Sequence, residues 1–211
     1  MIFSASRRAV LPHAGYLDSG KTAGKVYRLL HIPATVVLIG PNHVGVGPAI
    51  ATFASGSWET PLGPVRINAR LAHALTSCCP QIIDDPEAHA VEHAIEVQLP
   101  FLQYLRLDVT FVTLLLGEVA PEGWQRSGEA LAKTVASWQE QVLLLAGSDM
   151  TLYEDEQNAR RKDQMAIAQM PALDSPASGR NCNHTRDRWA ARTVTGGGQG
   201  GPSPAGGAPV G

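Results

Sequence analysis

His13 and His43 each stand in a short loop that follows an apolar run. Imidazole is the side chain suited both to proton transfer near neutral pH and to ligating transition metals. The first run is Ala9-Val10-Leu11, entering Pro12-His13-Ala14-Gly15-Tyr16; the second is Thr35 to Ile39, entering Gly40-Pro41-Asn42-His43. Two imidazoles at one place form a metal or acid/base site once a third group joins them, commonly a carboxylate, a thiolate or another histidine. Asp149 is one such group, since it follows the apolar run Gln141 to Ala146 through the turn Gly147-Ser148. A carboxylate there can orient an imidazole, join a metal or act as base. His89-Ala90-Val91-Glu92-His93-Ala94-Ile95-Glu96 is a second cluster. Laid on a helix, it pairs His89 with His93 and Glu92 with Glu96 on shared faces, and a solvated helix face is the expectation. It lacks the His-Glu-x-x-His run of zinc proteases.

Gly15-Tyr16-Leu17-Asp18-Ser19-Gly20-Lys21-Thr22 satisfies the phosphate-loop pattern G-x-x-x-x-G-K-[ST]. Bulk at Tyr16 and Leu17 and negative charge at Asp18 oppose wrapping of backbone amides around an anion. Cys78, Cys79 and Cys182 have no supporting constellation, and an odd number with two adjacent fits a reducing compartment.

These groups need a scaffold. Ser19 is suited to cap a helix over Lys21 to Leu30, joining the first two strands as a strand–helix–strand unit. Such a unit makes its strands parallel, so His13 and His43 fall on one sheet rim, where open α/β sheets bind ligands. Further strands are expected at Ala49 to Phe53, Val109 to Leu116 and Gln141 to Ala146. Helices are expected at Asn68 to Thr76, within Ala88 to Leu105, at Pro121 to Gln139 and at Glu154 to Met170, with Trp58 to Pro64 as a loop. Pro100 must begin a new turn or kink its helix. This alternation predicts a three-layer α/β/α domain with a largely parallel central sheet.

In this 211-residue chain, hydrophobic residues make up 44% and formal net charge is -2. That composition supports a core and gives no electrostatic reason for a nucleic-acid or anionic-membrane partner. No apolar stretch approaches membrane-spanning length and no leader pattern opens the chain, so a cytoplasmic location is the default expectation. From Gly196 to Gly211, 11 of the 16 residues are Gly or Pro. The expected division is an α/β domain over 1–174 and a disordered Gly/Pro-rich tail over 175–211.

Several separated motifs occur in one order: Pro12 to Tyr16, Ser19-Gly20, Gly40 to His43, Trp58-Glu59-Thr60-Pro61-Leu62-Gly63, Glu92 to Leu102, and Ser148-Asp149. In these, over residues 8 to 173, the chain resembles the Memo family, known in prokaryotes as AmmeMemoRadiSam system protein B. The resemblance implies a fold similar to class III extradiol dioxygenases, which hold non-haem Fe(II) with two histidines and a carboxylate. It matches His13 and His43 to the family's metal-site histidines, and His93 to the histidine of its Glu-His-Ser-Ile-Glu motif. Asp149 matches the aspartate of its Ser-Asp-x-x-His motif. The last histidine of that motif is Leu152 here, and neither the family's downstream cysteine–glycine nor the helical stretch that relatives carry before Pro12 has a counterpart, so the domain reads as incomplete at both ends.

The resemblance thus implies a divalent metal, Fe(II) or Cu, on His13 and His43, with His93 and Asp149 as catalytic groups and Asp149 or Glu92 as a possible third ligand. It implies a small molecule or peptide in the rim cleft and an activity like that of non-haem iron dioxygenases. The alternatives are a non-catalytic peptide- or protein-binding module that has lost part of the metal site, and a metal hydrolase using a bound water. An incomplete sheet also leads to an expectation of self-association.

Overall fold

The computed structural model describes residues 8–169. The readings on the first seven residues and on everything from 170 onward, including the Gly/Pro-rich tail and Cys182, lie outside the described residues. Three strands form the centre of the sheet: β2 (Thr35–Pro41), β7 (Thr110–Leu116) and β8 (Val142–Gly147). Each is almost continuously apolar and buried, as a strand covered on both faces must be. Around them lie β1 (Arg8–Leu11), β3 (Ile50–Thr52), β4 (Ser57–Thr60), β5 (Gly63–Ile67) and β6 (Ile83–Asp84). The order is β1-β8-β2-β7-β3-β6, with β5 also beside β7 and β4 paired to β5. β1, β8, β2 and β7 run parallel, whereas β3 is antiparallel to β7.

Alternate residues of β2 enter two separate cores. Val36 and Leu38 pack with Ala23 and Tyr27 of α1 (Tyr16–Tyr27) and with Leu99 and Leu102 of α3 (Leu99–Leu105). Val37 and Ile39 pack with Leu71 and Leu75 of α2 (Ala69–Cys78) and with Trp124 and Leu131 of α4 (Pro121–Ser137). This two-sided burial makes the three-layer α/β/α fold with its largely parallel sheet. α5 (Glu156–Gln169) follows β8, with Asp155 accepting from Asn158 N–H at its start. Among the described residues no helix is long and apolar enough to cross a membrane.

Register fixes where the chemistry falls. Leu11 lies beside Gly147, Ile39 beside Ala146 and Pro41 beside Leu116. His13, His43 and Asp149 each follow two residues after the end of β1, β2 and β8, so all three emerge at one rim.

Three elements depart from expectation. α1 begins at Tyr16 with Gly15 as N-cap and ends at Tyr27, displaced towards the N-terminus from Lys21 to Leu30. Asp18 favours the earlier start by placing a carboxylate in the positive first turn. Ser19 therefore sits inside the helix, its hydroxyl donating back to Ala14 O at 2.7 Å. Residues 16–22 are helical, so the phosphate-loop match supplies no open cradle of amides. Trp58 to Pro64 is not a loop but the β4–β5 hairpin. Its turn needs Gly63 at φ +102°, a conformation open to glycine. Residues 90–95 are turns and irregular backbone between 3-10 segments at Glu87–His89 and Glu96–Gln98, not a continuous helix. Pro100 starts α3, as its missing N–H requires.

Candidate metal centre

The loop after β1 is held from two sides. Asp149 Oδ1 accepts from the backbone N–H of His13 at 2.8 Å and of Ala14 at 3.1 Å. The Gln98 amide donates to Pro12 O at 3.0 Å and itself accepts from the Tyr27 hydroxyl. Asp149 does not cap the following helix, the other role open to it; it positions His13. Its second oxygen, Oδ2, lies 3.6 Å from His13 Nε2. The His13 side chain is almost wholly buried.

The loop after β2 is shaped by Asn42, whose side chain accepts from Gly45 N–H and donates to Val46 O. His43 is fixed by Glu92. Glu92 Oε2 accepts from His43 N–H at 2.6 Å, and Oε1 accepts from Ala94 N–H at 3.0 Å and from His43 Nδ1 at 2.9 Å. Because that carboxylate accepts, Nδ1 carries the proton and the Nε2 lone pair points away from it, as in carboxylate–histidine–metal arrangements. Nε2 faces His13 Nε2 at 3.4 Å. The Glu92 side chain is 1% exposed. Burial alone would raise its pKa, but hydrogen bonds from the His43 ring and from the Ala94 and His43 amides, with the His43 charge, bring it down to about 2.

His93 completes the cluster. Its ring stacks on His43 at 5.1 Å between centroids with planes 13° apart, and lies 6.2 Å from the His13 ring. Its side chain is 54% exposed, so it forms the solvent-facing side of the group. His43, Glu92 and His93 also bring one ligand atom each within 4.8 Å of one another. Both Glu92 oxygens accept hydrogen bonds, so in this arrangement the carboxylate orients His43.

Two glycines let these loops close. A Cβ at Gly40 would stand 3.1 Å from Ala94 Cβ and 3.2 Å from Ile95 Cγ1, so its absence lets the Glu92 turn lie on β2. A Cβ at Gly147 would stand 3.0 Å from His13 Nδ1 and 3.2 Å from its Cβ. Gly147→Ala should therefore shift the His13 ring and lower stability by about 1–2 kcal/mol, the usual cost of overpacking. A denaturation midpoint equal to that of the unaltered protein would show that the ring has room to spare.

The sequence grouping of His89 with His93 does not survive folding. His89 is buried against Trp58 and Phe53, ring centroids 5.6 and 6.0 Å away, and its Nδ1–H donates to Asp85 O at 3.0 Å. Burial lowers its pKa, opposed by the bond to Asp85 and by the charges of Asp85, Asp84 and Glu92. The unfolded chain, with an ordinary histidine pKa of about 6.5, then binds the proton more readily than the folded one. The His89 contribution to stability is complete above about pH 6.5 and is lost as pH falls below it. Urea midpoints measured from pH 7.5 to 5 should fall for the unaltered protein and fall less for His89→Phe. Parallel profiles would contradict this.

Strand connectivity placed His13, His43 and Asp149 at one rim and the family resemblance added His93; the structure brings these four side chains close together. Sequence reasoning named Glu92 only as a spare ligand and missed its role in orienting His43. The signal was the Glu92-His93 pair beside small Ala94, which the helical reading turned towards solvent.

The sequence model of the family described as Memo-like protein matches residues 3–192 of this chain. The chain is similar to the MEMO1 family protein of Methanopyrus kandleri, at 41% identity over 169 residues, covering 78% of this chain and 60% of that one. It is likewise similar to those of Pyrobaculum aerophilum (39%, covering 78% and 60%) and Aquifex aeolicus (40%, covering 79% and 61%). The chain thus spans about 60% of the length of the curated relatives it matches. The crystal structure of an uncharacterized Escherichia coli K12 protein shares the fold, with TM-score 0.64 and 17% identity over 92% of this chain and 89% of that one.

Proposed function

Because this chain belongs to the Memo family, we propose that His13 and His43 hold a divalent metal, Fe(II) or Cu, at the sheet rim. The protein acts there on a small organic molecule as a dioxygenase-like oxidoreductase. One observation supports this reading above all: the 3.4 Å approach of the two Nε2 atoms, with His43 turned by a buried carboxylate. Nitrogens sharing an ion at about 2.1 Å each must lie within about 4.2 Å of one another, and this pair does. Asp149 Oδ2, beside His13 Nε2, is the carboxylate oxygen available to join them. A redox-active ion with open positions supplies one-electron chemistry towards O₂ that organic side chains lack.

The remaining residues divide the other tasks. Glu92 keeps the His43 tautomer and ring plane. Asp149 fixes the His13 loop through two backbone amides. His93, half exposed and stacked on His43, takes a proton from an incoming hydroxyl or returns it in this reading. Val44, Val46 and Val91 are exposed in the loops that carry His43 and Glu92, and offer apolar contact to a ligand body.

A second reading keeps the rim as a peptide-binding surface without turnover. It draws on that same exposed apolar fringe and on Leu152, where the Memo resemblance calls for histidine. Protein purified without oxygen and titrated with Fe(II), Cu and Zn should bind close to one ion per chain. Oxygen uptake with a catechol then supports the oxidoreductase, and metal binding without uptake supports the second reading. No affinity for any of the three ions would overturn the metal assignment. The cytoplasm and self-association remain part of this proposal; light scattering tests the latter.

A further inference from the structure

None of the rim histidines lines the apolar groove of about 740 Å³ between α1 and α3. Its floor is the helix face carrying Gly20 and Gly24, and its walls include Tyr16, Phe101 and Tyr104. Phe101 is flanked by two rings, stacked on Tyr27 at 5.0 Å with planes 9° apart and met edgewise by Tyr16 at 5.9 Å. Arg28 is the one charged side chain lining the groove, and it makes no ion pair among the described residues. Two further lining residues are exposed, Tyr104 at 83% and Leu62 of the β4–β5 hairpin at 58%.

From these features we propose a second ligand site, for a small planar aromatic molecule bearing one anionic group. The volume lies within the range of small-molecule pockets, whereas a protein partner needs a broader and flatter face. Aromatic walls suit a planar body through stacking and edge contacts. A lone guanidinium lining an otherwise apolar cleft selects a carboxylate or sulfonate. The glycines matter for space. A Cβ at Gly24 would meet Phe101 Cε1 at 3.7 Å, and one at Gly20 would meet Tyr16 Cβ at 3.5 Å, both ordinary contacts. Side chains there are compatible with the fold, yet they would occupy the volume that the ligand fills. The site stands independently of the metal assignment.

The probe is 1-anilinonaphthalene-8-sulfonate, with neutral N-phenyl-1-naphthylamine as its uncharged counterpart. The full chain should bind the sulfonate saturably at one site, followed by fluorescence and calorimetry. Gly24→Leu should weaken both dyes at least about tenfold without lowering the melting temperature, since leucine favours helix over glycine. Arg28→Gln should weaken only the sulfonate, by about fivefold, as befits an exposed ionic contact. Tyr104→Ser, at an exposed position, should weaken both and gives a second test if Gly24→Leu folds poorly. Dye binding indifferent to all three substitutions overturns the site. So does a change in oligomeric state on Gly24→Leu, which would assign the groove to a second copy of the chain.

Discussion

His43→Ala should abolish stoichiometric binding of Fe(II) or Cu, with affinity falling on the order of 100-fold or more. Even residues that only orient a metal-bound histidine commonly cost about 10- to 100-fold when removed. His43 stands to lose more, because two interactions end on one ring. Its Nε2 faces His13 at 3.4 Å, and its Nδ1 donates to a Glu92 carboxylate that is otherwise shut away from water. His13→Ala should weaken the metal comparably but leave the Glu92 bonds in place, so its melting temperature should fall less than that of His43→Ala. His73→Ala, on the exposed side of α2, is the control that should change neither. Isothermal titration and metal content after gel filtration read the outcome. Retention of one ion per chain by both His13→Ala and His43→Ala would remove the rim as the metal site, whatever the catalytic behaviour.

Glu92→Leu should destabilise the metal-free protein by about 3 kcal/mol, the scale for breaking a buried charged network. The substitution leaves three donors, His43 N–H, Ala94 N–H and the His43 ring N–H, without their acceptor beside a buried side chain. Glu92→Gln retains one acceptor oxygen but turns an NH₂ towards donors, so it should cost less. It should still weaken metal binding by about 10- to 100-fold, because His43 is no longer held in one tautomer. The pair separates two roles. If Glu92 were itself a metal ligand rather than an orienting group, glutamine would eliminate binding as completely as His43→Ala does. Denaturation in urea combined with metal titration distinguishes these results.

The sheet and its rim were legible for a physical reason. Strands such as Val36 to Ile39 and Leu114 to Leu116 are buried on both faces, so their apolar runs show regardless of which neighbours they find. Helices with one buried stripe, such as α2 and α4, show equally well; Asn68 even marks the start of α2 by accepting from Leu71 N–H. The hairpin of β4 and β5 was hidden because Pro61, Gly63 and Pro64 are the residues of loops as much as of tight turns. The segment from His89 to Glu96 misled because its spacing fits a helix, while nothing local reveals that Gly40 opens a place for it on the sheet.

Sequence alone determined that two histidines and an aspartate follow parallel strands, since strand–helix–strand connectivity sends those strand ends to the same edge. It also determined the layered fold, through the period and length of its apolar runs. Only the tertiary structure decided that Glu92 turns inward and His89 joins the core. Only it decided that His93 stacks on His43, and that α1 and α3 part widely enough to leave a groove. Those outcomes depend on contacts between residues distant in the chain, where burial and the pairing of buried polar groups outweigh local helical spacing.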